Sequence, residues 1–300
     1  MANHLPAFAG GNPYLFPPSP APSVAEALST VVTDAQDDFV RGLLRPVAAM
    51  ALVFVAMLIS WREGVGLEKE MLVAVVRSFV QLIGIGFALQ FVFAQKGFAL
   101  ILLSISIMIL IAGYTAGQRA KAVPGSHHVA TLAILVGTSI TTTALVLLRV
   151  FPFEPRYIIP IAGMITGNAM TVTGVTMKRL REDIRLQHLE VEAALALGAT
   201  PRQASLVQLR RSLGTGMSPV IDNAKTIGLV SLPGAMTGLI MGGASPLEAV
   251  QLQIVVMYML IGAATFSGLT ATYLSQPKFF TPAYQLKQSA ISNAPAVAKK

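Results

Sequence analysis

Long apolar stretches separated by short polar segments set the pattern of this chain. Runs without Asp, Glu, Lys or Arg cover residues 46–61, 78–95, 97–118, 129–148, 157–177, 226–247 and 249–277. About 20 apolar residues in a helix cross the hydrocarbon core of a bilayer. The pattern therefore predicts an all-α, polytopic membrane protein with seven transmembrane helices.

The seven predicted spans differ in how polar they are. They cover residues 44–60, 71–94, 98–117, 129–148, 157–177, 220–243 and 249–274. The third ends with Gly113 and Gly117, a spacing that lets helix backbones approach closely. Ser218 and Pro219 before the sixth predict an N-cap with proline at the first helical position, and the span has a central Pro233-Gly234 pair. That pair predicts a kink or an interruption, whose free carbonyls must face protein or water.

The composition agrees with a membrane protein, and the placement of charge predicts its topology. The chain is 54% hydrophobic and 12% charged, whereas about 25% of residues are charged in ordinary globular proteins. If the N-terminus lies outside, fifteen of the 22 basic residues fall in inner segments and only five in outer ones. This asymmetry predicts an outer N-terminus and a cytoplasmic C-terminus. The net charge of +8 is thus explained without a nucleic-acid partner.

The chain divides into three parts. Residues 1–40 form a tail whose first 22 residues hold six of the 18 prolines, so we expect disorder followed by a short outer helix. The tail lacks the basic start and apolar core of a signal peptide. Residues 41–284 form the seven-span domain, and residues 285–300 form a cytosolic tail.

A polar, basic segment at residues 178–218 separates spans five and six. It contains EAALALGATPRQ, a short amphipathic helix that ends at Gly198 and is followed by Pro201. An ordinary cytosolic connecting loop is one interpretation. The sequence also resembles the coupling helix of ABC transporter permeases, which docks into a groove on a cytosolic ATPase. That resemblance implies ATPase coupling by Glu192, Ala193, Ala194, Gly198, Ala199 and Thr200.

Four segments together resemble one family of permeases. They read IPIAGMITGNAM, EAALALGATPRQAS, DNAKTIGLVSLPGAMTGLI and SPLEAVQLQIVV. Taken in order, they are similar to the FetB-type permeases, which comprise bacterial iron exporters and plant relatives linked to aluminium tolerance. The similarity covers roughly residues 62–284 and implies a homodimer in a bacterial inner membrane, with two copies of a separate ATPase that binds ATP and Mg. The chain has no GxxxxGK[S/T] phosphate loop, so we expect neither enzyme activity nor a cofactor in it.

Six polar or helix-breaking residues within the spans are candidates for a substrate path: Arg77, Gln81, Asn168, Asp222, Lys225 and Pro233. Charges within a span are costly unless they are paired or hydrated. Asp222 and Lys225 stand three apart, so a local ion pair near the inner headgroups is as good an interpretation as a role in transport. Asn168 and Gln81 can instead hold helices together through their amides.

The residue types leave the substrate and any metal site unknown. There is no cysteine, and all four histidines lie outside the predicted spans. The methionines in the spans fit packing better than they fit ligation of a soft ion. Export of metal ions such as iron is the leading hypothesis. An ABC permease for a nucleotide-sugar, a proton-coupled secondary transporter that uses Asp222, and a seven-span receptor are the alternatives.

Overall fold

The computed structural model describes residues 47–94 and 97–287. It divides into two compact units, Met1–Phe87 and Ala88–Lys300. The described part is helical and contains isolated bridges but no β-strand. The predicted N-terminal tail at residues 1–40 and most of the C-terminal tail lie outside the described residues.

The first unit contains two apolar helices joined by a tight turn. The described part of α1 is Val47–Arg62, and α2 is Glu68–Ala94, whose last turns belong to the second unit. Gly64 and Gly66 take positive φ values of 65° and 77°, which glycine adopts at no steric cost. The hydroxyl of Ser60 donates to Glu68 Oε1 at 3.0 Å and joins the two helix ends.

Four long helices form the bundle of the second unit. They are α3 (Phe98–Arg119), α4 (Ser126–Leu147), α5 (Pro155–Leu186) and α10 (Pro246–Ser275). A Cβ added to Gly113 or Gly117 would lie 2.7 Å from the Cα of Thr131 or His127 on α4. The predicted close approach of helices at this glycine pair is therefore confirmed, since no larger residue fits there.

The fifth helix is longer than a bilayer requires. Its 32 residues extend about 48 Å at 1.5 Å per residue, against a hydrocarbon core of about 30 Å. The last turns of α5 carry the sequence KRLRED. A buried cluster that includes Leu180, Ile184, Val191 and Phe279 packs around them. This charged end of α5 supports the next, shorter helices α6 (His188–Ala196) and α7 (Pro201–Ala204).

The prediction of seven full spans is not confirmed. Five described helices are long and apolar enough to cross a membrane, namely α2, α3, α4, α5 and α10, and the described part of α1 is a shorter apolar helix. The predicted sixth span, residues 220–243, is divided between two helices. These are α8 (Leu206–Thr226) and α9 (Gly234–Met241).

The interruption predicted at Pro233 is present, and it begins earlier, at Ile227. Pro233 is the N-cap of α9. The prediction that a helix begins at Pro219 is wrong, because α8 starts at Leu206 and continues through that proline. The chain also breaks at Ser205, where α7 gives way to α8. The polar start of the sixth span is thus continuous with the preceding polar segment.

Candidate functional site

A short hairpin of helices, α6 and α7, caps the charged end of α5. Gly198 takes φ +90° after α6 and donates its N–H to Leu195 O at 3.0 Å, while Ala199 donates to Ala194 O at 3.1 Å. This pair of bonds is a Schellman motif, which satisfies the last carbonyls of the helix. The sequence prediction that the helix stops at Gly198 is confirmed.

The next turn starts with a capping box. The Thr200 hydroxyl accepts from the Gln203 backbone N–H at 3.4 Å, and the Thr200 N–H donates to Gln203 Oε1 at 2.9 Å. Pro201 takes the first helical position, where its missing N–H costs nothing. Two consecutive caps therefore fix the angle between α6 and α7, since each satisfies groups that would otherwise be free.

The α6 helix exposes leucines on its outer side. Val191 is fully buried and holds α6 to the bundle, whereas Leu189 is 70% exposed and Leu197 is 89% exposed. Of the predicted coupling residues, Glu192, Ala193, Gly198 and Thr200 are exposed, and Ala194 and Ala199 are partly buried. We name Leu189, Glu192, Ala193, Leu197 and Gly198 the α6 surface. Large apolar side chains beside a polar rim are the composition of a docking surface.

Side-chain amides link this hairpin to α8 and α10. Gln208 on α8 donates to Gln187 Oε1 at 3.1 Å, and Gln276 donates to the Ser205 hydroxyl at 3.4 Å. Gln208 and Gln276 are buried, at 3% and 8% exposure. Sequence reasoning missed these residues, because nothing in the spacing of glutamines shows which distant helix each will meet.

A buried carboxylate lies near the end of α5. Asp183 is only 2% exposed and its Oδ1 lies 3.0 Å from Arg179 Nε. Glu182 contacts Arg185 at 2.6 Å on the same helix. The i,i+4 spacing of Arg179 and Asp183 was the available signal for this pair. The pairs stabilise the part of α5 on which α6 rests.

The α8 helix is amphipathic, and its buried face packs closely on α5. Leu209, Ser212, Gly216 and Val220 are buried on that face. A Cβ on Gly216 would lie 3.1 Å from Thr176 Cβ and 3.2 Å from the Val172 carbonyl oxygen. The two helix backbones therefore approach closely here, and α8 is held against the bundle along its length.

The opposite face of α8 is polar and exposed. We name this the α8 polar face; it comprises Thr215, Ser218, Asp222, Lys225 and Thr226. The Lys225 ammonium lies 3.6 Å from Asp222 Oδ1, and the Ser218 hydroxyl donates to Asp222 Oδ2 at 2.8 Å. The side chains of Lys225 and Asp222 are 70% and 63% exposed. A polar face of this kind must meet water or protein, because lipid does not solvate it.

The α8 polar face leads into the non-helical segment at residues 227–233. Gly228 has φ +82° and donates its N–H to Ser231 O at 2.9 Å, which turns the chain sharply. Leu229 and Val230 are 89% and 83% exposed. After Pro233 the chain resumes as α9, with Thr237 donating its hydroxyl to Pro233 O at 2.8 Å. Backbone outside a helix at membrane depth also requires water or protein around it.

The other predicted path residues lie elsewhere. Asn168 is partly buried on α5, and its Nδ2 donates to Met164 O of the same helix at 3.1 Å rather than to a neighbouring helix. Arg77 and Gln81 are exposed on α2 in the first unit, which is described separately. Asp222 and Lys225 share the α8 polar face, and Pro233 follows that face in the chain as the N-cap of α9.

The described residues offer no metal centre of ordinary composition. No group of three or more His, Cys, Asp or Glu comes together within residues 47–94 and 97–287. The candidate surfaces among the described residues are the α6 surface and the α8 polar face with the break that follows it.

Comparisons with known proteins place the chain in a family of membrane proteins. The profile of the Uncharacterised protein family (UPF0014) matches residues 43–280. UPF0014 membrane protein STAR2 of Oryza sativa is 63% identical over 252 residues, which is 84% of this chain and 88% of the relative. Protein ALUMINUM SENSITIVE 3 of Arabidopsis thaliana is 60% identical over 255 residues, 85% of this chain and 93% of the relative.

A bacterial relative is named for transport. It is the "Probable iron export permease protein FetB" of Escherichia coli, 40% identical over 238 residues, 79% of this chain and 92% of the relative. No solved structure matches the chain significantly. The predicted similarity to FetB-type permeases is confirmed, and the chain belongs to the UPF0014 family of multi-pass membrane proteins.

Proposed function

We propose that this chain is the membrane subunit of an ABC exporter, driven by a separate cytosolic ATPase that binds ATP and Mg. The observation that carries the proposal is the α6 surface. Leu189 and Leu197 of this surface are exposed. They lie near the charged end of α5, whose sequence KRLRED keeps this region out of the bilayer, so lipid does not cover them. An ATPase groove is a partner that would bury them.

The fold provides a route from the α6 surface to the membrane. The Gln187–Gln208 and Ser205–Gln276 hydrogen bonds join the hairpin to α8 and to the 3₁₀ turn after α10. The 21 residues of α8 form a rod of about 31 Å. We expect closure of the ATPase to push α6, to tilt α8, and to change the geometry of the break at residues 227–233.

The α8 polar face is the proposed substrate path. A second copy of the chain, as in a homodimer, would enclose it and provide the water or protein that Asp222 and Lys225 need. We propose metal ions as substrates and iron as the first to test, on the strength of the name of the Escherichia coli relative. A nucleotide-sugar is the alternative substrate. Asp222 and Lys225 place an acidic and a basic group on one exposed face. Such a face suits a charged or hydrated solute, whether a metal ion or a nucleotide-sugar.

The proposed topology keeps the α6 surface and the C-terminus in the cytoplasm and the N-terminus outside. The two plant relatives share more of the sequence than the bacterial one does. They favour a plant membrane as the location, in place of the bacterial inner membrane that the resemblance implied.

The test is reconstitution in vesicles with the cognate ATPase. We expect co-purification, and ATP hydrolysis that iron or another transition metal stimulates. Glu192→Arg should abolish this stimulation, because it places a cation at the centre of the docking surface. Glu154→Arg, an equivalent change on the loop before α5, is the control and should have no effect. Transport that needs a proton gradient and no ATPase would instead identify a secondary carrier.

A further inference from the structure

A cleft distinct from the α8 polar face lies between the start of α8 and the end of α10. Its volume is about 420 Å³. Arg202 of α7, Arg210 of α8 and Tyr273 of α10 line its polar side, and Leu206, Leu213 and Leu269 line its apolar side. Neither the α6 surface nor the α8 polar face includes this cleft.

The arginines of this cleft are not neutralised. The Arg202 guanidinium lies 5.0 Å from the centre of the Tyr273 ring and donates to its hydroxyl at 3.4 Å. Among the described residues neither Arg202 nor Arg210 has an ion-pair partner, and no carboxylate lines the cleft. Tyr273 orients one arginine while leaving its charge uncompensated, which favours an anion.

The apolar side of the cleft would suit a hydrocarbon chain. Leu213 of α8 and Leu269 of α10 both line the cleft, and Leu206, which also lines it, is 36% exposed. A water-soluble phosphate would leave these side chains uncovered. A molecule with both an anionic head and an acyl tail would bury them and satisfy the arginines at once.

The position of the cleft matches a membrane boundary. Tyr273 is 49% exposed and stands near the end of the candidate span Pro246–Phe279, and Lys278 lies in the last turn of the same span. Tyrosine is enriched where the hydrocarbon core meets the headgroups. Phosphate groups of lipids lie at that same level, so the arginines stand where a lipid headgroup would reach them.

We propose that this cleft binds an anionic phospholipid, with its phosphate on Arg202 and Arg210 and an acyl chain along the leucines. Basic pockets between membrane helices on the cytoplasmic side bind acidic headgroups in this way. The bound lipid fixes the distance between α7 and α10. It thereby supports α8, the helix that carries the proposed substrate path.

The test is a lipid titration of the full chain in detergent, followed by native mass spectrometry. We expect dioleoyl phosphatidylglycerol to bind in preference to dioleoyl phosphatidylcholine. Arg202→Gln and Arg210→Gln should each weaken this binding roughly fivefold, the effect of one arginine near an anionic lipid. Arg210→Lys keeps the charge and should retain most of the affinity.

Two controls define the site. Arg211→Gln removes the neighbouring charge, which does not line the cleft, and should leave the affinity unchanged. An equal loss in Arg211→Gln would show diffuse attraction and overturn the proposal. Binding of inorganic phosphate or glycerol 3-phosphate as tight as that of the lipid would also overturn it. Normal lipid binding by the Arg202 and Arg210 variants, together with a failure to bind the ATPase, would overturn the proposal as well. The cleft would then belong to a protein partner.

Discussion

At the scale of single residues, Gly198 is where backbone geometry matters most. Its φ of +90° is one that residues with a Cβ adopt only under strain. We expect Gly198→Ala to destabilise the α6 turn by about 1–2 kcal/mol. Gly198→Pro should cost more, since it fixes φ near −65° and removes the N–H bond to Leu195 O.

The measurement for this prediction is the ATPase activity of the reconstituted complex, together with its thermal unfolding midpoint. Both Gly198 variants should lose coupling while the membrane helices stay folded. Gly214→Ala is the matched control, because Gly214 lies within α8 with open space around its Cβ position. Equal behaviour of Gly198→Ala and Gly214→Ala would contradict the role given to the left-handed turn.

The Asp222–Lys225 pair gives a second prediction at this scale. Two side chains more than 60% exposed contribute about 0–1 kcal/mol to folding as an ion pair. We therefore expect Asp222→Asn and Lys225→Met to leave the unfolding midpoint almost unchanged. Transport should fall strongly in each, because the charges line the proposed path, and the double variant should not recover.

Lys278→Gln is the control for this pair, since Lys278 is an exposed lysine outside the path. The measurement is ATP-driven uptake into inverted vesicles at matched protein levels. Recovery of transport in the double variant would show instead that the two residues act only as a structural pair.

The residue-scale features that the sequence could predict are those with a local cause. The stop at Gly198 and the close contact at Gly113 and Gly117 depend on glycine itself, so they could be predicted. The amide bond between Gln187 and Gln208 could not, because it depends on the packing of α8 against α5. Asn168 was expected to reach a partner helix, but a carbonyl one turn away satisfies it first.

At the scale of elements, the break between α8 and α9 is the feature that a count of apolar residues predicts least well. Residues 226–247 carry no charge, so a hydropathy count predicts one span. The positive φ of Gly228 and the proline at 233 prevent a continuous helix. The same count missed that α8 begins at Leu206, because its first half is polar.

A disulfide across this break should show whether it moves. Ile227 and Ser231 form an isolated bridge, which holds their Cα atoms within the range that a disulfide spans. The chain has no cysteine of its own, so Ile227→Cys with Ser231→Cys forms an unambiguous pair. We expect oxidation to stop transport while ATP hydrolysis continues, and reduction to restore transport. Each single cysteine variant is the control; full transport by the oxidised pair would show that the break is rigid.

At the scale of the whole molecule, the apolar pattern predicted an all-helical, multi-pass protein correctly because burial in lipid needs only a helix and apolar side chains. It could not give the number of spans, since α8 has a polar, exposed face and α9 has only eight residues. The α8 polar face needs something besides lipid around it. That requirement, rather than hydropathy, is the argument for a second copy.

The last prediction follows from that requirement. In a two-fold dimer a residue that lies near the axis meets its own copy, so an α8 polar face that encloses a path on that axis brings matching positions together. Thr226→Cys, at the end of that face, should therefore form a disulfide-linked dimer in membranes under mild oxidation. Ile107→Cys, on an exposed apolar position of α3, should form no disulfide-linked dimer, because we expect this position to face lipid. Gel mobility without reductant measures both, and a dimer through Ile107→Cys alone would place the interface on α3 and leave the α8 polar face to water.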